Sequence, residues 1–121
     1  MKVTIRITKN FKAAAKPLFK KYPSLSNDLM KLEKELIPNP RLGTPIGHGV
    51  YKIRLKIASK GKGKSGGARV ISLVETILIG ITEFTSGEEI NVNLLSIYDK
   101  ADVDSISDKE LKDLIKNFRM E

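Results

Sequence analysis

KIASKGKGKSGGARVI, Lys56–Ile71, is the stretch whose reading decides the fold. It holds four lysines and four glycines and then turns abruptly apolar. Within it, ASKGKGKS (Ala58–Ser65) approximates a phosphate-binding loop, with Lys64 and Ser65 at the nucleotide-contacting positions. LLSIYD, ending in Asp99, even imitates an apolar strand with a terminal magnesium-holding acid. That mechanism requires the loop to open a helix, so that the helix N-terminus meets the phosphate. The residues that follow are GGARVISLV, β-branched and strand-like. The flanks therefore predict two strands joined by a glycine-lysine hairpin tip, in which Gly66 and Gly67 free the backbone ahead of Arg69.

Just upstream, VYKIRLKIA (Val50–Ala58) alternates apolar and polar residues over nine positions. Tyr51, Ile53, Leu55 and Ile57 are expected to bury themselves, and Lys52, Arg54 and Lys56 to project together. Strand side chains two apart are separated by roughly 6.6 Å, so three cations would line one face like a rail. A solvated basic face is the ordinary reading of such a strand. Here Lys60, Lys62 and Lys64 follow directly, and their mutual repulsion favours a bound anion. Arg69 lies inside an apolar run, which requires either an acidic partner or a ligand for it. Further on, INVNLLSIY (Ile90–Tyr98) reads as a strand that sets Ser96, Tyr98 and Lys100 on one face. Tyr98 is either a half-buried aromatic with a wet hydroxyl or a base-stacking or proton-transfer group. His48 lies between Gly47 and Gly49 and reads as a turn residue.

The rest of the chain supplies a frame. VTIRIT (Val3–Thr8) is a strand, and Asn10 is placed to cap a helix carrying Phe11, Ala14, Ala15, Leu18, Phe19 and Tyr22. Pro17 either kinks that helix or starts a new one. Ser24 or Ser26 caps a second helix striped by Leu25, Leu29, Leu32 and Leu36 and ended by Pro38 and Pro40. RLGTPIGHG is a turn-rich connector. GARVISLVETILIGITEF is a long apolar strand in which Gly80 marks a bulge or break, and TSGEE is a turn. Near the end, Ser107 and Glu110 have capping-box spacing, with Ile106 and Leu111 as the hydrophobic staple of a helix faced by Leu111, Leu114, Ile115 and Phe118. The predicted order is β-α-α-β-β-β-α: one α+β domain over residues 1–121, with an N-terminal helical hairpin and one antiparallel-rich sheet.

Composition narrows the function. Lys plus Arg total 22 against 14 acidic residues, a net charge of +8, which favours a polyanionic or acidic partner. With no cysteine and one histidine, disulfides, thiolate chemistry and multi-His metal sites are excluded. No apolar run is long enough to span a bilayer and no signal segment is evident, so a cytoplasmic location is expected.

LGTPIGHGVYKIRLKIASKGKGKSGGARVI (Leu42–Ile71) and LLSIYDKADVDSISDKELKDLIKN (Leu94–Asn117) resemble the RelE/ParE superfamily of bacterial toxins, closest to its RelE/HigB-like branch. FKAAAKPLFKKYPSLSNDLMKLEKEL (Phe11–Leu36) is similar to that family's helical hairpin, so the likeness covers nearly the whole chain. The resemblance implies the toxin of a type II toxin–antitoxin pair: an endoribonuclease that cuts mRNA on the ribosome without a metal or other cofactor and is inhibited by a cognate antitoxin. It also implies a site. Arg54 and Lys56 match the basic residues of the second strand, with Lys52 able to share their role. Arg69 matches the arginine opening the next strand, and Tyr98 and Lys100 match groups near the end of the last strand. In the implied chemistry Lys56 or Tyr98 is the base, Arg69 and Arg54 hold the phosphate, and Lys100 or another lysine lies near the leaving group. Lys52, Lys60, Lys62 and Lys64 would bind RNA. Two alternatives stand beside this expectation: a ParE-like toxin that binds DNA gyrase, and a non-catalytic RNA-binding protein.

Overall fold

Period-two patterning organises five strands among the described residues, which are 2–60, 66–78, 88–102 and 105–121 of a computed structural model. The strands are β1 (Lys2–Ile7), β2 (Thr44–Gly47), β3 (Val50–Leu55), β4 (Ala68–Leu78) and β5 (Glu88–Asp99). They join in the order β1-β5-β4-β3-β2. β2, β3, β4 and β5 form an antiparallel meander, and β1 lies parallel to β5 at the far edge. The helices are α1 (Lys9–Lys21), α2 (Leu25–Leu36) and α3 (Asp108–Arg119), with a single 3-10 turn at Ala58–Lys60. The expected α+β class and single sheet are present.

The sheet separates two apolar clusters. Phe11, Ala15 and Leu18 of α1 and Leu25, Leu32 and Leu36 of α2 cover Ile53, Leu55, Ala68, Val70, Val92, Leu94 and Ile97 on one face. On the other face α3 lays Leu111, Leu114, Ile115 and Phe118 against Val50, Ile71, Leu73 and Leu95. The capping box of Ser107 and Glu110 is formed, and Ile106 and Leu111 both join this second cluster.

Three details differ from expectation, each for a physical reason. The connector 41–49 contains β2, a short edge strand paired with β3; at an edge, the missing N–H of Pro45 breaks no ladder bond. The Gly47–His48–Gly49 turn that links them is left-handed throughout, with φ of 98°, 58° and 76°, and His48 is the turn residue expected. The N-cap of α1 is Thr8 and not Asn10: the Thr8 hydroxyl accepts the Phe11 N–H at 3.1 Å. Strand passes directly into helix there, and α1 runs unbroken through Pro17, whose exposed position leaves the unbonded carbonyl open to water. The irregularity in the β4–β5 pair lies between Ile71 and Ser72, opposite Leu95; Gly80 is outside the described residues.

Gly67 is the third. A Cβ there would lie 2.0 Å from the Leu55 carbonyl oxygen and 3.2 Å from the Ile57 nitrogen. Its glycine is required by close backbone approach between the end of β3 and the start of β4, not by a need for freedom. Gly67→Ala is expected to destabilise the protein by about 2–3 kcal/mol through backbone overpacking, read as a lowered urea midpoint at unchanged slope.

Candidate nucleic-acid interface

Register assembles the site. In antiparallel pairs, directly opposed residues share a face, with Cβ atoms about 4.5–5.5 Å apart. Arg54 of β3 is opposite Arg69 of β4, and Arg69 is opposite Tyr98 of β5. These three residues form a row across the three neighbouring strands β3, β4 and β5, close to one end of each, on the face that carries α3. The next row is Lys52, Ile71 and Ser96.

Burial grades the row from outside to inside. Arg54 is exposed, Arg69 is 5% exposed, and Tyr98 is half-buried against the α3 cluster. Arg69 Nη1 donates to the Ala68 carbonyl at 3.1 Å, which turns the guanidinium back along its own strand. The Tyr98 hydroxyl is buried and finds no hydrogen-bond partner among the described residues. Burial pushes the Tyr98 phenol up; the Arg69 charge opposes this and the Glu110 carboxylate adds to it. Tyr98 therefore keeps its proton at neutral pH and is a donor in the resting protein.

The remaining site residues divide. The alternation Tyr51–Ile57 holds, with Ile53, Leu55 and Ile57 buried and Arg54 and Lys56 exposed. β3 ends at Leu55, so Lys56 lies just beyond the ladder. Arg54 and Lys56 both border a recess of about 150 Å³ that also carries Asp28, Lys31 and Glu35. Lys52 borders a different recess of about 240 Å³, with Ile46, Ile106 and Asp108 at the start of α3. Lys100 follows β5, half-buried, with its N–H donating to the Gly67 carbonyl at 3.1 Å. Lys62 and Lys64 lie outside the described residues.

Lys60 requires a correction. It does not extend the cationic face: its side chain is 11% exposed, and its ammonium is 2.6 Å from Asp99 Oδ1. The carboxylate accepts further bonds from Tyr22 OH at 2.5 Å and the Ala101 N–H at 2.9 Å, with Lys21 Nζ 3.6 Å away. Both ammonium groups also approach the Tyr22 ring, at 5.3 Å for Lys21 and 5.6 Å for Lys60. By its sequence context Asp99 reads only as part of a magnesium-loop imitation. The available signal was alternation: Asp99 shares a strand face with Ile97, and an acid on a buried face needs a cation.

Among the described residues no group of three His, Asp or Glu side chains is placed to hold a metal ion, and no helix is long and apolar enough to cross a membrane. A search of protein-family models finds no match to the chain.

Burial acts to raise the Asp99 carboxyl, but the hydrogen bonds from Lys60, Tyr22 and the Ala101 amide outweigh it and hold the group well below the usual carboxylate range. The native value is therefore below the unfolded value of about 3.9, so the contribution to stability is complete above that pH and is lost as pH falls toward the native value. Lys60→Met is expected to lower stability at pH 7 by about 3 kcal/mol, because it leaves a buried carboxylate under-compensated. The difference from wild type should shrink as pH drops below about 4, measured by urea denaturation at pH 7 and pH 3.

Proposed function

We propose that this chain is the toxin of a type II toxin–antitoxin pair, an endoribonuclease that cleaves mRNA on the ribosome without a metal and is held inactive by a cognate antitoxin. The observation that carries this reading is the row Arg54–Arg69–Tyr98, three groups suited to one phosphate and set side by side by strand register. The resemblance of the sequence to the RelE/HigB-like toxins supports it. So does the arrangement of paired helices on one sheet face and a capped helix on the other, which we read as RelE-like. Action on the ribosome would place the protein in the cytoplasm.

The chemistry follows from the groups present. A base removes the proton of a 2′-hydroxyl; the 2′-oxygen bonds to phosphorus and the P–O5′ bond breaks, leaving a cyclic phosphate and a 5′-hydroxyl. Charge builds on the non-bridging oxygens, where Arg54 and Arg69 act. Lys56, exposed and bordering the same recess as Arg54, is assigned as the base. Tyr98, with its proton retained, and Lys100 are assigned to the leaving 5′-oxygen. Lys52, one row away, holds a neighbouring phosphate. Arg69 is 5% exposed and the Tyr98 hydroxyl is covered, so engaging the phosphate entails a local opening of this face.

Arg69→Ala is expected to lower cleavage by about 100- to 1,000-fold and to abolish growth arrest. Arg54→Ala should weaken cleavage in the same direction. Primer extension on mRNA from induced cells, with circular dichroism to show that the variants fold, is the measurement. Full toxicity of both folded variants, or arrest with intact transcripts and inhibited gyrase supercoiling, would overturn the assignment.

A further inference from the structure

Three segments distant in sequence meet at one carboxylate. Asp99 is the last residue of β5, and its side chain is 1% exposed. It is opposite Ala68, on the face covered by α1 and α2. Tyr22, just after α1, and Lys60, in the 3-10 turn after β3, both reach it. Lys60 Nζ also lies 3.4 Å from the Gly67 carbonyl oxygen, and the Lys100 N–H donates to that same oxygen at 3.1 Å. The cluster thus ties Lys60 to Gly67, the two ends of the lysine-rich segment, and fixes both to the end of β5.

The residues on either side of these anchors are those assigned to the reaction. Tyr98 and Lys100 flank Asp99 in the chain, and Arg69 is two residues beyond Gly67. Successive strand side chains point to opposite faces. A side chain held rigidly beneath the sheet therefore sets the pitch of its neighbours above it. We propose that Asp99, held by Lys60 and Tyr22, is a positioning residue: it fixes the backbone from which Arg69, Tyr98 and Lys100 project and anchors both ends of the lysine-rich segment. Its catalytic consequence rests on the ribonuclease reading; its structural part does not.

The test compares the full chain with Asp99→Asn, Tyr22→Phe and Lys60→Arg, and with Val3→Ala as a destabilised control that loses core packing at the other end of β5, where Val3 pairs with Ile90. All are assayed at a temperature where each is folded. For cleavage of mRNA on programmed ribosomes, Asp99→Asn is expected to lower kcat roughly 10- to 100-fold with KM little changed, since misplacement by a fraction of an ångström suffices. Tyr22→Phe should show a smaller loss in the same sense, and Lys60→Arg should retain the wild-type rate. Hydrogen exchange should quicken at the Ala68, Arg69, Lys100 and Ala101 amides in Asp99→Asn and not in Val3→Ala. A folded Asp99→Asn or Tyr22→Phe that cleaves no worse than Val3→Ala overturns the proposal. If the wild-type protein does not cleave RNA, the ribonuclease reading fails by itself. The exchange data then decide the anchor: equal protection at those amides in all variants would overturn it.

Discussion

β4 is hydrogen-bonded on both sides, and its register with β3 and β5 sets which side chains meet on each face of the sheet. Arg54, Arg69 and Tyr98 form one row because Arg69 is paired with both of the others. Ala68, Val70 and Ile97 face the helical pair for the same reason. A slip of one residue would bring Arg69 beneath α1 and α2 and expose the apolar set, so the hydrophobic cost of slippage protects the site geometry. Gly67 adds a steric lock at the start of β4, where only a hydrogen fits against the Leu55 carbonyl oxygen.

The bulge at Leu95 makes both faces workable. Before it, Ile90, Val92 and Leu94 face α1 and α2; after it, Ile97 and Asp99 do. Uninterrupted alternation from Ile90 would have sent Tyr98 to the helical-pair face and Ile97 to the other. The inserted residue reverses the parity and bends the strand. Backbone carbonyls at the irregularity still need donors. Thr8 donates to the Leu94 oxygen through its hydroxyl at 2.9 Å, and the Asn10 amide donates to the Leu95 oxygen at 2.8 Å. Asn10 is thus engaged with β5 while Thr8 serves both as helix cap and as sheet partner.

Charge is handled differently on the two faces. Beneath the sheet, Asp99 gathers Lys60, Lys21 and Tyr22 into a satisfied buried cluster. On the opposite face, Arg54 and Arg69 oppose one another across adjacent strands, and Arg69 lies beside a phenol whose hydroxyl is covered. One arrangement is internally compensated. The other sets two guanidinium groups and a phenol in one row, in a chain of net charge +8.

Much was legible in the residues alone. Alternation identified β3 and the buried set of Ile53, Leu55 and Ile57; the leucine stripe identified α2; and the capping box located the start of α3. The β-branched run after Gly67 distinguished a strand from a nucleotide-binding helix. All of these are local signals, carried by spacing within one element. What needed the tertiary structure was every decision that depends on a partner far along the chain. The parallel placement of β1 beside β5, the β2 edge strand, and the bulge opposite Ile71 are pairings between separate segments. Lys60 shows the distinction most sharply. By sequence it is one lysine among several in a glycine-rich stretch, and only the fold brings it within 2.6 Å of a carboxylate 39 residues away, where desolvation and the ion pair remove it from the surface.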